Sequence, residues 1–273
     1  MDDNTNYFET NKSTWNKKVA IHVKSEMYNM EGFKSGETSL KPYELKALGD
    51  VSGKSLLHLQ CHFGQDTLSW SRLGAKCTAV DLSDEAIKLA IKLNEELELD
   101  AEFVCCNVLE TSKHVAKTFD IVFTSYGTIG WLPDLKLWAK MIFERLKPGG
   151  VFYIVEFHPI LWMYDYNEGQ PKMKYHYNQE EVIYDEYDGT YADLSSKMVS
   201  KEYGWNHGLS DVVNALIEAG LQIEYLNEHD ESPYDVFPDL IKTEDGMFKM
   251  ENQLFPMIFE VKANKKYKTT KKI

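Results

Sequence analysis

No run in the chain comes near the ~18 consecutive apolar residues of a membrane-spanning helix, so no such span is expected. The start, Met1-Asp2-Asp3-Asn4, lacks the basic region and apolar core of a signal peptide, which argues against export and for the cytoplasm. Cysteine is scarce. Cys61, Cys77, Cys105 and Cys106 form no C-x-x-C pair and no zinc spacing, and their apolar, strand-like surroundings read as buried free thiols in a reducing compartment, with no metal expected. Basic residues are in deficit, 30 against 43 acids for a net charge of −13. That balance disfavours a phosphate backbone as partner and points to a small molecule. Basic charge gathers at one end, where Lys262, Lys265, Lys266, Lys268, Lys271 and Lys272 lead into and fill a tail over 263–273, read as a solvated terminus.

The chain does have enough apolar residues for a core: 273 residues, 43% apolar and 13% aromatic, suit one well-buried α/β domain or two small ones. From about residue 54, short β-type runs alternate with helical periodicity. The runs are 55–60, 76–81, 102–106, 119–124, 151–157, 221–226 and 255–261. Between them, helices are expected at 66–73, from the Ser83 cap to about Leu97, from Pro133 to Leu146, and from a Ser210 cap to Gly220. Strands alternating with helices build a doubly wound, mostly parallel sheet. That domain takes in 46–160 and 207–262. Residues 1–45, with Tyr7, Trp15, Tyr28 and Phe33, read as an N-terminal helical cover. Residues 161–206 are rich in tyrosine, tryptophan and acids, and alternate enough over Tyr175 to Tyr191 to suggest a β-hairpin insert. An insert of this length is more often functional than a plain connector.

In an open parallel sheet, ligands bind beyond the carboxyl ends of the strands. There the loop Gln60-Cys61-His62-Phe63-Gly64-Gln65, Asp81, the Asn107 region and Thr124 to Gly130 share one crevice. Asp81, at the end of the second run, is placed to accept the hydroxyls of an adenosine ribose. A dinucleotide fingerprint needs G-x-G-x-x-G. Here only Gly64 is present and no Walker lysine follows, which disfavours NAD, FAD and ATP. A cofactor with an adenosine ribose but no phosphate still fits, and S-adenosylmethionine is one.

Leu56-Leu57-His58-Leu59-Gln60-Cys61-His62-Phe63-Gly64-Gln65-Asp66-Thr67, followed by Gly74-Ala75 and Ala79-Val80-Asp81-Leu82-Ser83, resembles a Rossmann-like (class I) S-adenosylmethionine-dependent methyltransferase. More narrowly, the loop is similar to that of a bacterial branch written LQCHFGQDT. Phe119-Asp120-Ile121-Val122 and Leu146-Lys147-Pro148-Gly149-Gly150 extend the resemblance. It implies a seven-stranded sheet, with Cys61 and Gly64 beneath the methionine portion and Asp81 on the ribose. It also implies Leu82 against the adenine, Asn107 and Val108 at the adenine edge, and Thr124, Ser125 and Tyr126 toward the sulfonium. Gln60, His62, Gln65 and Ser83 complete the implied cofactor set. The sequence departs from the broad family at His58, where an acid is usual, at Gln60 and His62, where glycines are usual, and at Asn107, where most members carry Asp.

Methyl transfer from a sulfonium needs alignment and exclusion of water more than acid–base groups. If the acceptor must lose a proton, His158 at the end of the fifth run and His207 near the next helix are the candidate bases. The insert is the candidate substrate lid, whose aromatic and acidic residues suit a cationic or aromatic acceptor; packing or a homodimer contact is its other reading. A non-catalytic binder of S-adenosylmethionine or S-adenosylhomocysteine, and a nucleotide-dependent oxidoreductase, are the alternatives at the level of function.

Overall fold

The computed structural model describes residues 6–165, 171–178, 181–244, 246–252 and 254–267. Met1 to Asn4, Tyr166, Lys268, Lys271 and Lys272 lie outside them. Helices α1 (Tyr7–His22), α2 (Met30–Lys34) and α3 (Pro42–Leu48) come first. Then alternate β1 (Ser55–Leu59), α4 (Gln65–Arg72), β2 (Lys76–Asp81), α5 (Asp84–Glu96) and β3 (Glu102–Cys105). A short α6 (Thr111–His114), β4 (Phe119–Ser125), α7 (Leu135–Arg145) and β5 (Leu146–Phe157) follow. After β5 the chain builds a separate antiparallel pair, β6 (Ile183–Asp188) with β7 (Val199–Gly204). Helix α8 (Leu209–Glu218), β8 (Gln222–His229) and β9 (Ile258–Asn264) return to the main sheet.

The seven strands lie in the order β8-β9-β5-β4-β1-β2-β3. Strands β1 to β5 pair in parallel, and β9 runs antiparallel to both β5 and β8. The doubly wound sheet expected from the alternation is therefore present. Its central strands bury both faces, as helices on both sides require. Leu57, Val122, Phe152 and Ile154 pack on the side of Trp138, Ile142 and Leu216, whereas Leu56, Phe123, Tyr153 and Val155 pack on the side of Leu48 and Trp70. Neighbouring residues of each strand thus feed opposite cores, following the period of two. Strand order reverses between β4 and β1, which opens the crevice at their carboxyl ends.

Three local expectations are corrected. The hairpin is 183–204 rather than 175–191. Helix α8 is capped by Gly208, whose N–H reaches the Asp211 carboxylate at 3.1 Å, so Ser210 lies inside the helix. Cys105 is exposed, while Cys61, Cys77 and Cys106 are buried; all four thiols are free. The basic end is partly structural as well. Lys262 belongs to β9, and Lys265 donates to the carbonyls of Phe143 (2.7 Å) and Leu146 (2.8 Å), closing the end of α7. No described helix is long and apolar enough to cross a membrane.

Candidate functional site

Between β1 and α4 the backbone turns left-handed at every second residue: Gln60 (φ 54°), His62 (φ 50°) and Gly64 (φ 81°). Only Gly64 is a glycine, and a Cβ there would stand 2.7 Å from the Phe103 ring. Left-handed geometry at the other two costs about 1–2 kcal/mol each. Fixed partners hold it. Cys61 N–H donates to the Val80 carbonyl (3.0 Å), His62 N–H to Asp81 Oδ2 (2.8 Å), and Gln60 Nε2 to the Thr128 carbonyl (2.8 Å). The loop therefore keeps at Gln60 and His62 the backbone shape that glycines would allow.

Asp81 faces this loop from the end of β2. Its second oxygen accepts the Ser83 N–H at 2.8 Å. Burial pushes its carboxyl up to about 6, against the opposing effect of the hydrogen bonds from the Ser83 and His62 backbones. Gln60, Cys61, His62, Gly64, Gln65, Asp81, Leu82, Asn107, Val108, Ser125 and Tyr126 all line one cavity of about 680 Å³, within the roughly 300–1,000 Å³ of small-molecule clefts. Two residues of the implied cofactor set stand behind its wall. Ser83 caps α5 through Ala86 N–H (3.0 Å) and donates to Asn16 Oδ1 (2.6 Å). Thr124 is buried, its hydroxyl directed at the Leu59 carbonyl (3.4 Å) and Thr128 Oγ1 (3.2 Å). Gln60 Oε1 and His62 Nδ1, on two cavity-lining side chains, are buried with no hydrogen-bond partner among the described residues.

The two histidines proposed as bases are not in the cavity wall. The chain leaves β5 after Phe157, and His158 turns to Glu228 on β8: Nε2 donates to Glu228 Oε1 (2.8 Å) and Nδ1 accepts the Ile160 N–H (3.2 Å). His207 Nε2 donates to the Leu132 carbonyl at 2.7 Å. Burial holds both imidazoles below their usual range. Each has a structural partner, and neither reaches the crevice mouth.

Reasoning from sequence missed the groups that shape the site. Glu156, at the end of β5, is buried and accepts the N–H groups of Gly127, Thr128 (2.7 Å) and Ile129 (3.3 Å), bracing the loop after β4. Above the cavity, α1 and the hairpin meet. Lys18 of α1 is 1% exposed; its ammonium bonds the Glu202 carboxylate and the Tyr187 hydroxyl (3.2 Å), with the Trp15 ring centroid at 4.8 Å. His22 Nδ1 and His62 Nε2 lie 3.1 Å apart, and the Tyr28 and Tyr191 hydroxyls 2.5 Å apart. Burial, then the Lys18 charge, lowers the His22 imidazole to about 3. A second buried carboxyl, Glu44, is pushed up to about 8 by burial and by neighbouring Asp66, and accepts the Tyr126 hydroxyl at 3.2 Å.

Part of the chain is similar to known proteins. Residues 57–154 match the family described as "Methyltransferase domain". The chain is 34% identical over 125 residues to the demethylmenaquinone methyltransferase of Lactococcus lactis, covering 44% of this chain and 49% of that one. It is 29% identical over 105 residues to a ubiquinone biosynthesis O-methyltransferase of Xanthomonas oryzae, covering 38% and 44%. It therefore spans about half the length of these relatives. Among solved structures, an S-adenosylmethionine-dependent methyltransferase from Clostridium acetobutylicum superposes with a TM-score of 0.59 at 16% identity, over 92% of this chain and 99% of that one.

Proposed function

We propose that this chain, a member of the Rossmann-like S-adenosylmethionine-dependent methyltransferases, moves a methyl group from that cofactor to a small-molecule acceptor in the cavity. The observation that carries the reading is Asp81 at the end of β2, facing a cavity that a left-handed loop closes from below. The residues fit the cofactor. Asp81 suits both ribose hydroxyls, Leu82 and Val108 the faces of the adenine, and the Asn107 amide its edge. The unsatisfied Gln60 Oε1 and His62 Nδ1 offer an acceptor and an imidazole nitrogen toward the methionine end. Asp66 and Lys41 line the same cavity with opposite charges suited to an ammonium and a carboxylate.

When bound, S-adenosylmethionine supplies a methyl carbon already activated by a sulfonium. Asp81, Leu82, Asn107 and Val108 would hold its adenosine portion, and Gln60 and His62 its methionine end. The chain's part is to align the partners and shut out water, worth roughly 7–11 kcal/mol in well-oriented systems. The loop braced by Glu156 and the cover formed by α1 with the hairpin do both. No step calls on His158 or His207. The free thiols are consistent with a cytoplasmic setting.

Thermal shift with S-adenosylhomocysteine, S-adenosylmethionine and NAD tests the reading. At a hundredfold excess over the dissociation constant a ligand adds ~2.7 kcal/mol, which for this chain raises the midpoint by about 5 °C. Stabilisation by the two S-adenosyl compounds, lost in Asp81→Ala, is expected. Stabilisation by NAD alone would overturn it.

A further inference from the structure

Resting on the methyltransferase reading, we propose that the outer part of the cavity, built by the insert, binds the protonated amino group of its acceptor, with the Asp185 carboxylate as its counter-ion. The family match ends at residue 154, so the insert's end of the cavity lies beyond it. Asp165, Asp185 and Glu202 bring three carboxylates to the cavity wall. Lys174 pairs with Asp165 at 2.7 Å, and Lys18 pairs with Glu202. Asp185 accepts the Tyr175 hydroxyl at 3.1 Å and has no ion-pair partner among the described residues. One negative charge is thus left over in a half-buried wall. Burial raises the Asp185 carboxyl, and nearby Asp165 and Glu202 push the same way, while the Tyr175 bond and Lys174 oppose them.

The surroundings suit a cation rather than a second water-exposed acid. Tyr175, which bonds Asp185, and Tyr187, Trp162 and Trp205 line the same cavity. Ring faces attract a desolvated ammonium, and the unpaired carboxylate supplies a charge-assisted acceptor. The molecule itself shows the same chemistry one strand away, where the Lys18 ammonium sits among Trp15, Tyr187 and Tyr191 against Glu202. An acceptor with an alkylammonium group on an aromatic or otherwise apolar body matches both features.

The test is calorimetric titration of the protein saturated with S-adenosylhomocysteine, at neutral pH, using 2-phenylethylamine and its neutral isostere 2-phenylethanol. The amine is expected to bind at least about tenfold tighter, and Asp185→Asn to abolish that preference while keeping its stabilisation by S-adenosylhomocysteine. Equal binding, preference for the alcohol, binding of neither, or a preference that survives in Asp185→Asn overturns the assignment. If S-adenosylhomocysteine does not stabilise the wild-type protein, the methyltransferase reading falls and this one with it. If it does, and the amine has no advantage, the ammonium site alone is refuted.

Discussion

Replacing Lys18 by Met tests whether the cover over the cavity is latched. The Lys18 and Glu202 side chains are 1% and 12% exposed, so neither charge is appreciably solvated. After Lys18→Met the Glu202 carboxylate keeps the Tyr187 hydroxyl at 3.0 Å but loses its cation. Removing one partner of a buried pair costs about 3–5 kcal/mol, because the other charge stays buried and uncompensated. Unfolding entropy near 2.1 cal/mol/K per residue, roughly 0.6 kcal/mol/K over 273 residues, turns that into a midpoint lower by about 5–9 °C. Glu202→Leu acts in the same direction. Lys18→Met/Glu202→Leu removes both charges and recovers most of the loss, giving a coupling of about 2 kcal/mol or more. Calorimetry measures all four proteins, and hydrogen exchange across α1 shows where stability is lost, since the pair joins α1 to β7. Single-mutant losses under about 1 kcal/mol, or a double mutant equal to the sum of the singles, would mean a solvent-screened pair and no latch.

Other outcomes follow from the same geometry. Asp81→Asn removes a charged acceptor whose hydrogen bonds are worth about 1.5–3 kcal/mol each, so affinity for S-adenosylhomocysteine should fall about a hundredfold by titration calorimetry. In the proposed role Asp81 would accept ribose hydroxyls fully only when ionised, and burial pushes its carboxyl up to about 6. Affinity should therefore be level above that pH and fall about tenfold per unit below it; a flat profile down to acid pH would remove Asp81 from the contact. His158→Asn and His207→Asn should leave the turnover rate within about twofold, against the roughly 10²–10⁴-fold loss expected of a general base.

The main sheet was legible because its central strands bury both faces: runs such as Phe152 to Val155 carry no charge whichever way they point. Asp81 was legible because an acid ending the second strand has a place in the topology before any side chain is built. The hairpin was displaced in the reading for a physical reason. Tyr175 and Tyr177 mimic strand alternation, yet Tyr175 faces Asp185 in the cavity and Tyr177 holds the start of α8, its hydroxyl 3.3 Å from Leu209 N. Their spacing reflects two separate packing surfaces, while the true strand, Ile183 to Asp188, alternates half-buried with exposed residues. The left-handed backbone at Gln60 and His62 was not legible, because it is held by Thr128, Asp81 and Val80, contacts that only the folded sheet supplies.

Helix α1 shows why hydrophobic periodicity left the cover undetailed. The residues it buries are Asn11, Thr14, Lys18, Val19 and His22, a mostly polar stripe that reads in sequence as a solvated face. What it meets is the outer edge of β7, whose N–H and C=O groups need partners. Asn11 supplies both, donating to the Tyr203 carbonyl (2.8 Å) and accepting the Tyr203 N–H (2.9 Å). Thr14 donates to the Lys201 carbonyl at 2.7 Å, one helical turn before Lys18 reaches Glu202. A helix thus stands where a third strand would stand, with side chains replacing a ladder. Neither element satisfies its buried polar groups without the other, so α1 and the hairpin form one cooperative unit. Trp205 N–H ties that unit to the Gly130 carbonyl at 2.8 Å, beside the loop that Glu156 braces. The two segments outside the strand–helix alternation are therefore bonded to each other and to the cavity wall.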